Sequence, residues 1–327
     1  MKIYTKEEAQ DKINALGQAG NPFVFIISYD QSKAYVEETS ALDAATCMFA
    51  FPHFYNIPDH FSCNNSAPEW RITPPDRARY EASINLVKRN QVAGNCRLAN
   101  LTCKVPIATN LTMRDIFLRS QARYRCWVKD EFVCFSPEIF VQVQQGVIRT
   151  FPMKGTLDAT LPNAERTLME NPKEVEEHAM IVDLLSSELA QVAHGVQVDR
   201  YRYIEHLTTN KGEILQTSSE ISGHVSDYYQ SHFGELLYRL LPAGSIAGAP
   251  KRQTVDLIRQ AEDYDRGFYT GIMGYCANGE LDTAVMIRFI DQEDGQLYYK
   301  AGGGITAQSN NDDEYREVIE KVYVPIY

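Results

Sequence analysis

Apolar positions along the chain recur with two periods, one helical and one of two residues. Thr5 with Glu8 three residues on forms a capping box and predicts a helix to about Leu16, ahead of Gly17 and Gly20. β-Branched and aromatic runs at 22–29, 34–37 and 46–51 predict strands. Residues 52–72 are rich in Pro, Asn and Ser and predict a loop, after which Thr73-Pro74-Pro75 starts a helix reaching about Ala93. Strands dominate from there to Thr150, around a short helix begun by Thr112 and Asp115. Asn171-Pro172 opens a longer helix, Pro250 opens one that contains 254–261, and 312–322 reads as the last. Between them YRYIEHLTT, EILQTSSEI, GFYTGIMGY, LDTAVMIRFI and QLYYKAGG predict strands. No linker or repeat divides the chain, so one continuous domain over 1–327 is expected, α+β with large antiparallel sheets.

Charge narrows the function classes. Lys+Arg number 32 against 43 Asp+Glu, a formal net charge of −11, and no stretch gathers the cations that a nucleic-acid partner requires. The longest apolar run, PFVFIISY, is far short of the roughly 18 to 20 residues of a membrane-spanning helix, so no membrane partner is expected. The N-terminus MKIYTKEEAQ is charged from its second residue and lacks the apolar core of a secretory signal, which predicts a cytoplasmic protein. Seven cysteines with no C-x-x-C pair fit neither a disulfide framework nor a structural zinc site.

Several positions carry candidate chemistry, each with an ordinary alternative. Lys154, in PMKGT, is expected in a tight turn after a strand, as a surface lysine or as a nucleophile if burial or cationic neighbours free its amine. Glu177 shares a helix face with Ile181 and Leu184, and Glu314 and Glu317 lie three apart on another helix. Such carboxylates form a solvated face, or they supply the one or two protein ligands that Mg²⁺ takes. Gly302, Gly303 and Gly304 after QLYYK, and the GSIAGAPK segment containing Gly248, are simple turns or anion-facing backbone. Arg288 is a cation in an apolar strand and should face a cleft or an anion. His206 in YIEHLTT reads as a core histidine or a substrate contact.

Taken in order, FSPEIF (135–140), PMKGT (152–156), EHAMIVDL (177–184), GSIAGAPK (244–251), GYCANGELDTAVMIRF (274–289) and AGGGITAQSNNDDEYREVIEK (301–321) resemble the chorismate-utilising enzymes. That family includes anthranilate, aminodeoxychorismate, isochorismate and salicylate synthases. The likeness runs from about Ser136 onward; 1–95 reads as a shortened N-terminal part and 96–327 as the motif-bearing part. The fold it implies is α+β, with two face-packed, mainly antiparallel sheets and helices outside. Lys in PMKGT is similar to the P-I-K-G-T of the aminodeoxychorismate synthases rather than to the P-[IL]-A-G-[ST] of the anthranilate and isochorismate branches. Leu98 falls where isochorismate and salicylate synthases place a water-activating lysine.

The resemblance implies a mechanism on named residues. Mg²⁺ would be held by Glu177 and Glu317, with Glu314 nearby, against a carboxylate of chorismate. Lys321, Tyr275, Arg288 and the 302–304 backbone would hold substrate, with Gly248, Thr156 and His206 as further candidate contacts. Lys154 would attack ring C2 while Glu138 protonates the departing 4-hydroxyl, and ammonia would displace the lysine at C4, a route toward 4-aminobenzoate and folate. Burial should raise the Glu138 pKa and lower that of Lys154. The 16 residues between them suit adjacent strands joined at Gln145-Gly146. Ammonia would come from a separate glutamine amidotransferase subunit, since the sequence holds no G-x-C-x-G turn. Ala247, where the family has Thr or Ser, predicts weaker substrate binding by about 0.5–1.5 kcal/mol. Ser186 and Gln191 stand where the family carries arginines. The alternatives are anthranilate synthase or another chorismate-converting activity, and a catalytically weak binding or scaffold subunit.

Overall fold

In the computed structural model, which describes residues 1–209 and 212–326, strand Phe23–Ile27 is buried along its whole length. Phe23, Phe25 and Ile27 turn into one apolar core and Val24 and Ile26 into another. A strand covered on both faces needs apolar residues on both, which is why this segment reads as a continuous run.

Two large sheets follow from that arrangement. The first runs Ile3–Tyr4, Ala34–Glu38, Phe23–Ile27, Ile272–Ala277, Glu280–Val285, Ile139–Gln144, Val147–Thr150, Gly212–Val225, Met153–Asp158, with Ala193–Thr209 also on Gly212–Val225. The second runs Gly248–Ala249, Leu98–Thr109, Gln296–Ile305, Phe289–Glu293, Phe132–Ser136, Tyr124–Val128, Cys47–Phe51, Phe54–Tyr55, with Trp70–Ile72 on Leu98–Thr109. All these neighbours pair antiparallel.

The sheets pack face to face. Met273 and Ala284 of the first meet Phe49, Cys126, Phe132 and Phe289 of the second in one core. Helices Lys6–Ala19, Pro172–Leu189 and Phe233–Leu240 cover the outer face of the first sheet through Ile13, Ile181 and Leu237. Helices Arg77–Val92, Met113–Arg119, Lys251–Ala261 and Asn311–Glu320 cover the second through Ile84, Phe117, Leu257 and Val318. The architecture is the expected α+β one, and strands before residue 95 lie within the same two sheets as those after it. Among the described residues no helix is long and apolar enough to cross a membrane, and all seven cysteines are unpaired.

The differences from the sequence reading have local causes. The first helix passes Gly17 and stops at Gly20, whose φ of 71° forms the left-handed cap. Arg77–Val92 starts after Asp76, which accepts the Arg79 N–H at 2.9 Å, rather than at the prolines. The run LDTAVMIRFI is two strands, not one. Glu280–Val285 belongs to the first sheet and Phe289–Glu293 to the second, and the chain crosses between them with Arg288 at φ 55°. Gln145-Gly146 does turn one strand into the next, but Lys154 is not on that hairpin. Its strand pairs with Gly212–Val225, which lies between Met153–Asp158 and Val147–Thr150.

Phe132 is 1 % exposed and stacks on Phe289 with centroids 4.9 Å apart. Phe132→Ala is expected to lower the unfolding free energy by about 3–5 kcal/mol in urea titrations. A loss below ~1 kcal/mol would mean that the interior between the sheets is not close-packed.

Candidate active site

The crossover at Ile287 and Arg288 forms part of the wall of a cavity of about 730 Å³. Glu138, Lys154, Glu177, Ser245, Gly302–Gly304 and the Glu314–Lys321 stretch line the rest, so each of the six sequence motifs contributes.

Lys154 is placed by a β-bulge rather than by a turn. Lys154 opposes Thr217 and Thr156 opposes Gln216, which leaves Gly155 as the extra residue, at φ 76°. That conformation calls for glycine, and a side chain at 155 would also press on Glu174 Oε2 at 2.9 Å. Lys154 Nζ lies 3.9 Å from Glu177 Oε2.

Glu138 precedes strand Ile139–Gln144, and its Oε1 accepts a hydrogen bond from Ser245 Oγ at 2.7 Å. Burial raises its carboxyl above the ordinary value, against the opposing pull of Ser245, Lys154, Arg288 and Lys321. The acid is therefore biased toward its protonated form.

The carboxylates come from two capped helices. Asn171 accepts the Lys173 and Glu174 N–H groups, and Asn310 those of Asp312 and Asp313. Burial, and then Glu177, raise Glu174; burial also raises Glu314, opposed by Ser309 and reinforced by Glu317. Burial would raise Glu317 as well, but Lys321 at 2.6 Å, with Lys154 and Lys173, holds it below the ordinary value.

Whether these groups fit Mg²⁺ can be read from Glu177. Its Oε1 is shut off from solvent and has no hydrogen-bond partner among the described residues, with Lys173 Nζ 3.8 Å away. Among the described residues no three Asp, Glu, His or Cys side chains are gathered into an enclosing metal cluster. A buried acceptor beside further carboxylates, on an open cavity, suits a cation that takes one or two protein oxygens and the rest from water and substrate.

Gly302–Gly304 continue strand Gln296–Ile305, opposite Thr102, Leu101 and Asn100, and do not form a turn. The strand on their other side ends with the Phe289–Lys300 pair, so among the described residues one backbone edge beyond Lys300 has no strand neighbour. On that strand the Gly302 carbonyl accepts Lys321 Nζ at 2.9 Å. Thr156 also lines the cavity.

Three candidate contacts lie elsewhere. Tyr275 is held by the first sheet and stacks on Phe54 at 4.9 Å, outside the cavity lining. His206 is exposed on strand Ala193–Thr209, with Nε2 3.5 Å from Glu165 Oε1, in a separate shallow pocket. Gly248 makes the close pairing with Ala99, where a Cβ would strike the Leu98 carbonyl; its role is backbone packing. Beside the start of the Gly244–Ala247 helix, the buried Glu188 pairs with Lys251 at 2.7 Å. Ala247 is fully buried and off the cavity lining, so its missing hydroxyl takes no contact from the cavity. Ser245 and Glu174 were the residues sequence reasoning passed over. Ser245 lay inside a quoted motif, and Glu174 sits three residues before Glu177 on the same helix.

Residues 58–326 match the family model described as chorismate binding enzyme. The chain belongs to that family. It is 43 % identical over 313 residues to an uncharacterized PabA-like protein of Pasteurella multocida, covering 96 % of this chain and 97 % of that one. It is 36 % identical over 195 residues to aminodeoxychorismate synthase component 1 of Salmonella typhimurium, covering 57 % of this chain and 42 % of that protein. It is 33 % identical over 201 residues to anthranilate synthase component 1 of Acetivibrio thermocellus, covering 57 % and 38 %. Among solved structures, a 2,3-dihydroxybenzoate-specific isochorismate synthase of Bacillus anthracis aligns with a TM-score of 0.75 at 21 % identity, covering 98 % of this chain and 88 % of that one. At that identity the likeness is one of fold. As a family member the chain is a chorismate-binding enzyme.

A carboxyl raised by the fold binds its proton more tightly folded than unfolded, so its ionisation weakens the fold as pH rises past the unfolded value near 4.3. Glu138→Gln is therefore expected to raise the melting temperature at pH 8 and to leave it unchanged at pH 4, by differential scanning fluorimetry. Equal melting temperatures at both pH values would contradict the assigned direction.

Proposed function

We propose that the chain aminates chorismate with Mg²⁺ assistance to give 4-amino-4-deoxychorismate, the activity named for its Salmonella relative. The observation that carries this reading is Lys154 itself, presented by the Gly155 bulge beside Glu177 in a cavity that also holds a raised carboxyl, Glu138. A Cβ at Gly304 would lie 3.2 Å from Lys154 Nζ and 3.4 Å from Leu98 Cδ1, so the neighbouring strand brings an apolar group, not a second base, toward the amine.

In the first step the Lys154 amine attacks ring C2. Both double bonds of the conjugated ring diene shift, C1=C2 to C1=C6 and C5=C6 to C4=C5, the C4–O bond breaks, and the Glu138 proton leaves with the hydroxyl as water. In the second, ammonia attacks C4, both double bonds shift back to C5=C6 and C1=C2 and the C2–N bond to Lys154 breaks, while ionised Glu138 accepts a proton from the incoming nitrogen. Dividing one substitution into two is the gain of covalent catalysis. Glu177, Glu314 and Glu317 would hold Mg²⁺, which would neutralise a substrate carboxylate. Arg288 and Lys321 would bind the anionic groups, Arg288 through its planar fork. Ammonia would be delivered by a separate glutamine amidotransferase subunit or taken from solution.

Incubation with chorismate, Mg²⁺ and an ammonium salt at mildly alkaline pH is expected to yield 4-amino-4-deoxychorismate, identified by chromatography and mass. Lys154→Ala should lose this product by at least about 100-fold. Anthranilate as the product of the unsubstituted protein, or untouched chorismate even with an amidotransferase supplied, would overturn the proposal.

A further inference from the structure

We propose that Arg266 is a positioning residue of this cavity: one buried guanidinium holds three separate pieces of its wall in register. Arg266 is 2 % exposed, and its donors are fully engaged. Nε reaches Glu262 Oε2 at 2.8 Å, and Nη2 reaches Glu262 Oε1 at 2.6 Å and the Asn100 carbonyl at 2.7 Å. Nη1 reaches the Ile246 carbonyl at 3.1 Å and the Thr270 hydroxyl at 3.3 Å.

Asn100, Ile246 and Thr270 all line the cavity and come from segments far apart in the sequence. Glu262 adds a second grip on strand Leu98–Thr109, accepting both the Thr102 N–H and its hydroxyl at 2.8 Å. Thr270 sits at φ 61°, a conformation that a β-branched residue keeps only where its surroundings enforce it. A lysine could not serve here, having three donors on a point charge in place of a five-donor fork.

The consequence for chemistry runs through Ile246. It follows Ser245, whose hydroxyl donates to Glu138, so the guanidinium on the Ile246 carbonyl fixes the short helix that presents Ser245. The other groups bearing on Glu138 are Lys154 from strand Met153–Asp158, Arg288 from the crossover and Lys321 beyond the last helix. None of these is among the groups bonded to Arg266. A buried Arg–Glu pair could serve stability alone, and removing one partner would strand the other charge. Arg266→Met/Glu262→Leu removes both together, and Arg266→Lys keeps the charge but loses the fork.

The test follows the Glu138 carboxyl by NMR titration of protein labelled with ¹³C at the glutamate carboxyls, assigned with Glu138→Gln. It needs no turnover, so it stands whichever reaction the enzyme performs. Ser245→Ala is expected to move the Glu138 midpoint upward, because a donor to the ionised form is lost. Arg266→Lys and the double variant should move it upward by the same amount, with no further shift when either is combined with Ser245→Ala. A Glu138 midpoint unchanged from the unsubstituted protein, in either folded variant, overturns the proposal and leaves Arg266 a structural ion pair.

Discussion

The site depends on a stretch of strand that has no side chains. Gly302–Gly304 pass close to strand Leu98–Thr109 and to the lysine: an added carbon at 302 would stand 2.6 Å from the Leu101 carbonyl, and one at 304 would press on Lys154 Nζ at 3.2 Å. Residue 303 faces the carboxylates of Glu314 and Glu317. Around this bare ribbon the lysine, the carboxylates and Lys321 can converge while the backbone stays in its antiparallel ladder. The space for substrate is thus made within a sheet, which holds position better than a loop does.

The second constraint is electrostatic. Burial penalises the charge on these acids and their neighbours add repulsion, and the raised Glu174 and Glu314 record both costs, burial first. The fold offsets it with Lys154, Lys173 and Lys321, which reach Glu177 and Glu317, and leaves Glu177 Oε1 without a hydrogen bond. That residual deficit is one that the proposed Mg²⁺ would relieve. Glu138 receives a hydroxyl donor and stays biased toward its proton, so acids of one residue type are set to different tasks by what surrounds them.

Much of this was legible in the sequence. The capping boxes at Thr5 and Thr112 and the Asn171-Pro172 start mark real helix ends, because capping is a local interaction. The continuous run 22–29 marks a strand buried on both faces. What sequence could not supply was which sheet a strand joins. LDTAVMIRFI holds no Gly, Pro or other turn signal, yet it divides between two sheets, and that division is what carries Arg288 to the cavity. Tyr275 and His206 sit on strands as anticipated, but their faces turn toward Phe54 and toward Glu165, a matter of register with partners distant in sequence. The Arg266 hub joins residues 100, 246, 262 and 270, and no local pattern announces it.

The central claim is that Lys154 forms a covalent bond to the substrate ring. Intact-protein mass spectrometry after incubation with chorismate and Mg²⁺ in ammonia-free buffer reads this directly. The account predicts a mass gain of chorismate less one water, mapped by peptide analysis to Lys154 and released when ammonium is added. Turnover of chorismate by the unsubstituted protein with Lys154 unmodified, and equal turnover by Lys154→Ala, would contradict it.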